Sequence, residues 1–518
     1  MGNSRNNKRL VKNTLYLYIR MAFLMCIGLY TSRVLLSTLG FSDYGLYNLV
    51  GSIVVIFGFL NASLSSSTQR FLNVEIAKGE NGNIKKIFSN SLFIHITLAI
   101  IILVLAETVG LWYLKNKAII DADRLSAAMY VYQFSVITAC VQIVQLPFMA
   151  TLIAHERMNA FAYISIYEGI AKLLIVYLIQ IMEYDKLIIY GFFILCVHIS
   201  VIIFYNIYCQ RHFKEARFKI AVDKSTIKNM LGFSGWNLVG NFAYACNTQG
   251  LNMVLNAFFG TLMNAARGVA FQVQGLVTQF TSNFQLAVRP QVIKYYAAGQ
   301  LKEMENLVIN SAKYSAFIML IFITPIVVCS KLLLELWLGA YPEYAPIFIT
   351  IILLRCVVTT ITNNIVMVVH ASGYLRNIGI ICGGVLLMVI PLSYLALKLG
   401  YDPSIVFVID LIAAICDAMV ELYYMRKYIK FPMLRFCKEV YLNVFIVAVI
   451  LFTFTISIYH FTSSLSHLIQ LILVFALSII FSLAIIYIVG LDKETRNKVR
   501  QFIKNKIRHF KRPFQIWS

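Results

Sequence analysis

The chain reads as long apolar stretches divided by short polar and charged breaks. About fourteen of these stretches are long enough to cross a ~30 Å hydrocarbon core. They cover residues 14–37, 43–66, 87–112, 125–148, 158–181, 187–209, 230–257, 263–286, 307–331, 344–370, 377–398, 404–425, 440–460 and 466–489, and are numbered here as spans in that order. The pattern predicts an all-α polytopic membrane protein, because a membrane β-barrel would show shorter segments of alternating polarity. Composition agrees: 60% of the 518 residues are hydrophobic and 13% are charged, with a mean hydropathy of +0.76.

The polar breaks fix an orientation. With the N-terminus placed inside and the loops assigned alternately, the external breaks hold Lys115, Lys117, Arg124, Lys186, Lys331 and Lys398. Most of the 45 Lys and Arg then fall on the cytoplasmic side, which predicts an N-in, C-in, multi-pass chain. The net charge of +22 is read as this bias and as attraction to anionic headgroups; no motif supports a nucleic-acid partner. The basic opening "MGNSRNNKRLVKN" and the long apolar run behind it do not resemble a cleavable signal peptide. Asn6 argues against myristoylation. The external loops are too short for a soluble catalytic domain.

A shift of 220 residues lays "LGFSDYGLYNL" on "FGTLMNAARGV", with Gly40 on Gly260, and carries spans one to six onto spans seven to twelve. Six spans are an even number, so the two copies share one orientation, as in parallel transporter repeats. The expected organisation is an N-lobe over 1–220, a C-lobe over 221–430, two extra spans over 431–490 and a basic cytoplasmic tail over 491–518. Two such lobes imply a central cavity and alternating access.

No GxxxxGK[ST], HExxH or GxSxG is present, and the ten cysteines are scattered without a CxxC. No metal or other cofactor and no enzymatic activity are expected; ATP does not drive this protein directly. His95 and His198 are lone histidines read as polar packing residues. The charges inside the spans carry more meaning, since a charge at bilayer depth is costly and usually faces a cavity or a partner. Five basic residues are singled out: Arg20, Arg33, Lys172, Arg267 and Arg355. Arg33 and Arg20 lie near span ends, where snorkelling to headgroups competes with a cavity role. Lys172 has Glu168 four residues earlier, so a neutralised pair competes with a ligand site. Together the five suit an anion, because a planar guanidinium fits phosphate oxygens.

Asn237, Asn241, Thr248 and Asn252 share one face of span seven, and Gln272, Gln279 and Asn283 one face of span eight. These amides either line a wet cavity that can hydrogen-bond a sugar or bond between helices. The acidic set is Glu107, Glu168, Asp410, Asp417 and Glu421. Of these, Glu168, Asp410 and Asp417 are the candidates for coupling to a proton or Na⁺ gradient; pairing of Asp417 and Glu421 with Arg426 and Lys427 is the alternative. Pro325 and Pro391 lie mid-span, where helices kink.

The segment "SRVLLSTLGFSDYGLYNLV" resembles the first-to-second-helix region of bacterial polysaccharide (lipid-linked oligosaccharide) flippases of the multidrug/oligosaccharidyl-lipid/polysaccharide (MOP, MATE-like) exporter superfamily. The helix count and the repeat extend that likeness over the whole chain. The resemblance implies a flippase for an undecaprenyl-pyrophosphate-linked oligosaccharide in the bacterial inner membrane, serving O-antigen or capsular polysaccharide synthesis beside a polymerase and glycosyltransferases. It also implies roles for arginines of the first, second and eighth helices, known in lipid II flippases of the superfamily. Arg20 and Arg33 match the first and Arg267 the eighth, while span two has no internal arginine. That gap favours an O-antigen or capsule unit over lipid II. A MATE-type cation-coupled multidrug exporter is the alternative; span one lacks the acidic residue common in that branch.

Overall fold

The computed structural model describes all residues except 1, 56–58, 78–82, 156, 214, 215, 217–222, 373, 374, 493, 494, 498, 499 and 502–518. The described residues are mostly helical, with short turns between the helices and no strand among them. The long helices are α1 (Gly2–Val55), α2 (Phe59–Ala77), α3 (Ile84–Leu105), α5 (Leu125–Ala154), α6 (Met158–Leu178), α7 (Lys186–His212), α8 (Lys224–Phe259) and α9 (Thr261–Ala297). They continue with α10 (Leu301–Val328), α12 (Ala345–Ser372), α13 (Leu375–Lys398), α14 (Ile405–Ile429), α16 (Asn443–Phe461) and α17 (His467–Ile485). Short pieces α4 (Leu111–Asn116), α11 (Ser330–Leu338) and α15 (Met433–Phe436) lie between them. Ten of the described helical segments are long and apolar enough to cross a membrane on their own. This is an all-α polytopic membrane protein.

Spans one and two are joined without a loop. Helix α1 runs through span one and the first half of span two, as far as Val55, and is broken at Gly40, whose φ of 76° and ψ of 175° no side chain tolerates well. Gly260, between α8 and α9, has φ 70° and ψ −163°. The two glycines that the 220-residue shift superposes therefore adopt the same rare backbone. Other helix starts are fixed by side chains. Asp185 caps α7 by accepting from the Leu187 and Ile188 N–H groups, and Asp223 caps α8 through Thr226 N–H.

Contacts divide the chain into two compact units. The first comprises residues 1–271, 337–348 and 375–417. Its largest described core joins Leu46, Leu49, Val50 and Ile53 of α1 to Val131, Tyr132 and Val136 of α5 and Leu187 of α7. Tyr132 donates to the Ala106 carbonyl at 2.7 Å, where a π-turn over Ala106–Gly110 follows α3. The motif residue Gly45 lets α1 lie directly on the start of α9; a Cβ there would overlap the Thr261 carbonyl. Nearby, Arg124 bonds both Asp43, at 2.5 and 2.8 Å, and Asp185, at 2.6 Å.

The second unit comprises residues 272–336, 349–374 and 418–518. A buried amide network links α9, α10 and α12: Gln285 donates to the Thr360 carbonyl at 2.8 Å, Asn364 to the same carbonyl at 2.9 Å, and Ser311 to Asn364 Oδ1. Lys313 of α10 is buried here, 4% exposed. It lies within span nine and adds to the five intramembrane cations read from the sequence. Asp492, just beyond α17, sits below the usual carboxylate range. Hydrogen bonds from Thr495 hold it there, against burial and helped by the Lys313 charge.

Candidate functional site

Two cation sites stand out within the first unit. The first is built around Arg267, near the start of α9. The side chain is only 5% exposed. Its Nη2 donates to the Thr248 carbonyl of α8, and its guanidinium carbon lies 3.9 Å from the centre of the Phe271 ring, a cation–π contact. Asp410 of α14 is near enough to attract it, yet no ion pair joins the two among the described contacts. Asp410 instead accepts from Asn247 Nδ2 at 2.8 Å. Arg267 Nε is buried with no hydrogen-bond partner. A buried guanidinium with an unused donor is expensive in an apolar medium; an anionic or carbonyl oxygen arriving there would relieve it.

The second site is the pair Lys172–Glu168 on α6, bonded at 2.6 Å. It borders a cavity of about 460 Å³ formed with α1 and α7. An adjoining cavity of about 270 Å³ shares Lys172, Tyr47 and Tyr190 and adds His198 and Gln142, whose amide reaches the His198 Nε2 at 3.1 Å. This cation is matched by a carboxylate in direct contact, so the pair adds no net charge to its cavity.

The remaining sequence-derived residues fall as follows. Arg33 is exposed on α1. Arg20 and Asn237 lie on α1 and α8, and their side chains are outside the described residues. Asn241 is half-buried on α8. Asn252 is fully buried and bonds between helices: its Nδ2 donates to the Asn48 carbonyl at 3.2 Å, and its own Oδ1 accepts from Asn264 at 2.7 Å. One turn on, Asn256 clamps both backbone groups of Ile119, at 2.9 and 3.1 Å. Asn256 and Asn264 were not singled out from the sequence, although Asn256 continues the Asn252 face by four residues. Asp417 of α14 is half-buried, and Glu107 accepts from Gln133 at 3.2 Å. In the second unit, Arg355 is buried, Gln272 half-buried, Gln279 exposed and Glu421 buried. The structure thus brings Arg267 and Asp410 into one neighbourhood and Lys172 and Glu168 into another.

No family model matches the sequence, and no curated protein matches it significantly. Solved structures do match. The lipid II flippase MurJ, in an inward closed conformation, superposes with a TM-score of 0.65 at 14% identity over 92% of this chain and 99% of that one. A multidrug resistance MATE family transporter of the MOP superfamily, inward-facing, gives 0.65 at 12% identity over 80% of this chain and 98% of that one. An outward-facing MATE structure gives 0.55 at 13% identity over 81% and 96%. The fold is the one these transporters share. The matched structures are a flippase and transporters, not enzymes, and each pairs with nearly its whole length.

Proposed function

We propose that this chain is a flippase that moves an undecaprenyl-pyrophosphate-linked oligosaccharide unit across the bacterial inner membrane, from the cytoplasmic leaflet to the outer one, for O-antigen or capsular polysaccharide synthesis. The observation that carries the reading is Arg267: a buried guanidinium with an unpartnered Nε, in a fold shared with a lipid II flippase. A pyrophosphate oxygen supplies the acceptor that the protein leaves out. In this reading the carrier works by alternating access, and Arg33 and Arg355 also serve the anionic substrate. The chain sits N-in and C-in, and a proton or Na⁺ gradient drives the cycle through Glu168, Asp410 or Asp417. Polymerase and glycosyltransferases are its working partners.

A cation-coupled multidrug exporter is the second reading, and Asp410 favours it, being a carboxylate 7% exposed within a transporter fold. One experiment separates the two. The gene is deleted, lipid-linked oligosaccharides are extracted, and their leaflet is determined. Accumulation on the cytoplasmic face with loss of surface polysaccharide supports the flippase. An unchanged lipid pool with new sensitivity to cationic drugs overturns it in favour of the exporter.

A further inference from the structure

The 460 Å³ cavity beside Lys172 has a lining that the pyrophosphate reading does not use. Its volume falls in the range of small-molecule sites. Three tyrosines, Tyr44, Tyr47 and Tyr190, border it together with Asn48, Thr31 and the Lys172–Glu168 pair. The Tyr47 and Tyr190 rings meet edge to face at 5.1 Å. The Thr31 hydroxyl is buried and has no hydrogen-bond partner. The bend at Gly40 folds α1 back so that residues from both its arms face this one cavity.

The chemistry narrows the occupant. Lys172 and Glu168 cancel at 2.6 Å, so the cavity offers no unmatched charge to a pyrophosphate or an organic cation. An aliphatic chain would leave the buried Thr31 hydroxyl without a polar partner in a bilayer-embedded bundle, where an unmatched polar group is costly. An ammonium brings three donors, a carboxylate several acceptor positions, and each phenol can do both. Aromatic faces cover the apolar face of a ring. We propose that this cavity between α1, α6 and α7 binds one uncharged sugar ring of the carried molecule. The inference rests on the flippase reading and adds to it: Arg267 holds the charged end, and the Lys172–Glu168 cavity reads the glycan.

The test uses the full-length protein in nanodiscs and two probes. One is the lipid-linked oligosaccharide that accumulates when the gene is deleted; the other is bare undecaprenyl pyrophosphate. Wild type should bind the glycan-bearing lipid at least tenfold more tightly. Thr31→Val should weaken that lipid about fivefold or more and change bare-lipid binding less than twofold. Thr31→Val removes a hydroxyl that has no partner, so it keeps the fold, and unchanged bare-lipid binding verifies this. Equal affinity of wild type for the two lipids overturns the sugar site and leaves the flippase standing. Equal losses for both lipids in Thr31→Val, or no loss at all, also overturn it. Failure of wild type to bind either lipid sinks the flippase reading itself.

Discussion

Arg267 and Lys172 are both cations within the helices of one compact unit, and they are handled in opposite ways. Lys172 is closed by a carboxylate one turn away on its own helix, at 2.6 Å. Arg267 is held by a backbone carbonyl and an aromatic face, its nearest acid engaged by an asparagine and its Nε unmatched. The first arrangement is complete without a ligand and contributes no net charge. The second leaves an acceptor position open. An intramembrane cation therefore does not by itself mean an anion site; what matters is whether its partner is in contact.

The strongest way to break this contrast is to remove Arg267. Arg267→Ala should lower export of surface polysaccharide at least tenfold at unchanged membrane abundance, while Arg267→Lys keeps part of it, since the charge remains and the fork is lost. The alanine variant also gives up a charge-assisted bond to the Thr248 carbonyl, worth on the order of 2–3 kcal/mol, and melts earlier in detergent. Export within twofold of wild type in Arg267→Ala would remove the distinction between the two cations.

Next in size are the two glycines that shape the sites. Gly40 sets the bend that wraps α1 around the Lys172 cavity, and Gly260 sets the turn from α8 to α9 that brings Thr248 to Arg267. Each has an extended ψ at positive φ, and a Cβ would meet open space at Gly40 and only an ordinary contact with Ile119 at Gly260. The cost of Gly→Ala is thus confined to the backbone, about 1–3 kcal/mol apiece. Gly40→Ala should mainly weaken recognition of the glycan, and Gly260→Ala mainly that of bare undecaprenyl pyrophosphate. The reverse assignment, measured by lipid binding, would show that the glycines do not serve separate sites.

Much of this was legible in the sequence, for reasons that also explain what was not. The spans follow from runs of apolar residues, so most helices begin and end within a few residues of the expected positions. The repeat pointed to Gly40 and Gly260 because a backbone that only glycine tolerates leaves a mark in sequence. Lys172–Glu168 could be read because i,i+4 spacing is local. Arg267 was visible as a cation, but its partner is the carbonyl of Thr248, which has no sequence signature. The Arg124 bonds to Asp43 and Asp185 join three separate segments and are equally silent. Lys313 escaped because it stands only a few residues inside span nine, where it blends with the basic cytoplasmic flank. Asn252, expected to line a wet cavity or to bond between helices, does the second, and only tertiary structure separates those outcomes.

A smaller effect sharpens the comparison within the complete pair itself. Lys172→Met leaves Glu168 without its counter-charge, whereas Lys172→Met with Glu168→Gln removes both charges together. The single variant should be less stable than the double by about 1 kcal/mol, seen as a lower melting temperature in detergent. A double variant no more stable than the single one would mean that the two charges are not stabilising each other.

The smallest expected effect concerns a contact pair of the same chemistry outside the membrane. Lys86 and Asp223 meet at 2.8 Å, and Asp223 also caps α8 and donates its backbone N–H to Asn90 Oδ1 at 2.8 Å. The Lys86 contact first, and then the Thr226 bonds, lower the Asp223 carboxyl to about 2. A carboxyl depressed on folding contributes stability above its unfolded value, near 3.8, and loses it as pH falls through the folded value. Wild type should therefore melt above Asp223→Asn at neutral pH, and the gap should narrow between about pH 4 and pH 2. A gap that stays constant from pH 7 down to pH 2 would show that the Lys86 contact and the helix cap do not stabilise the fold through the Asp223 carboxylate.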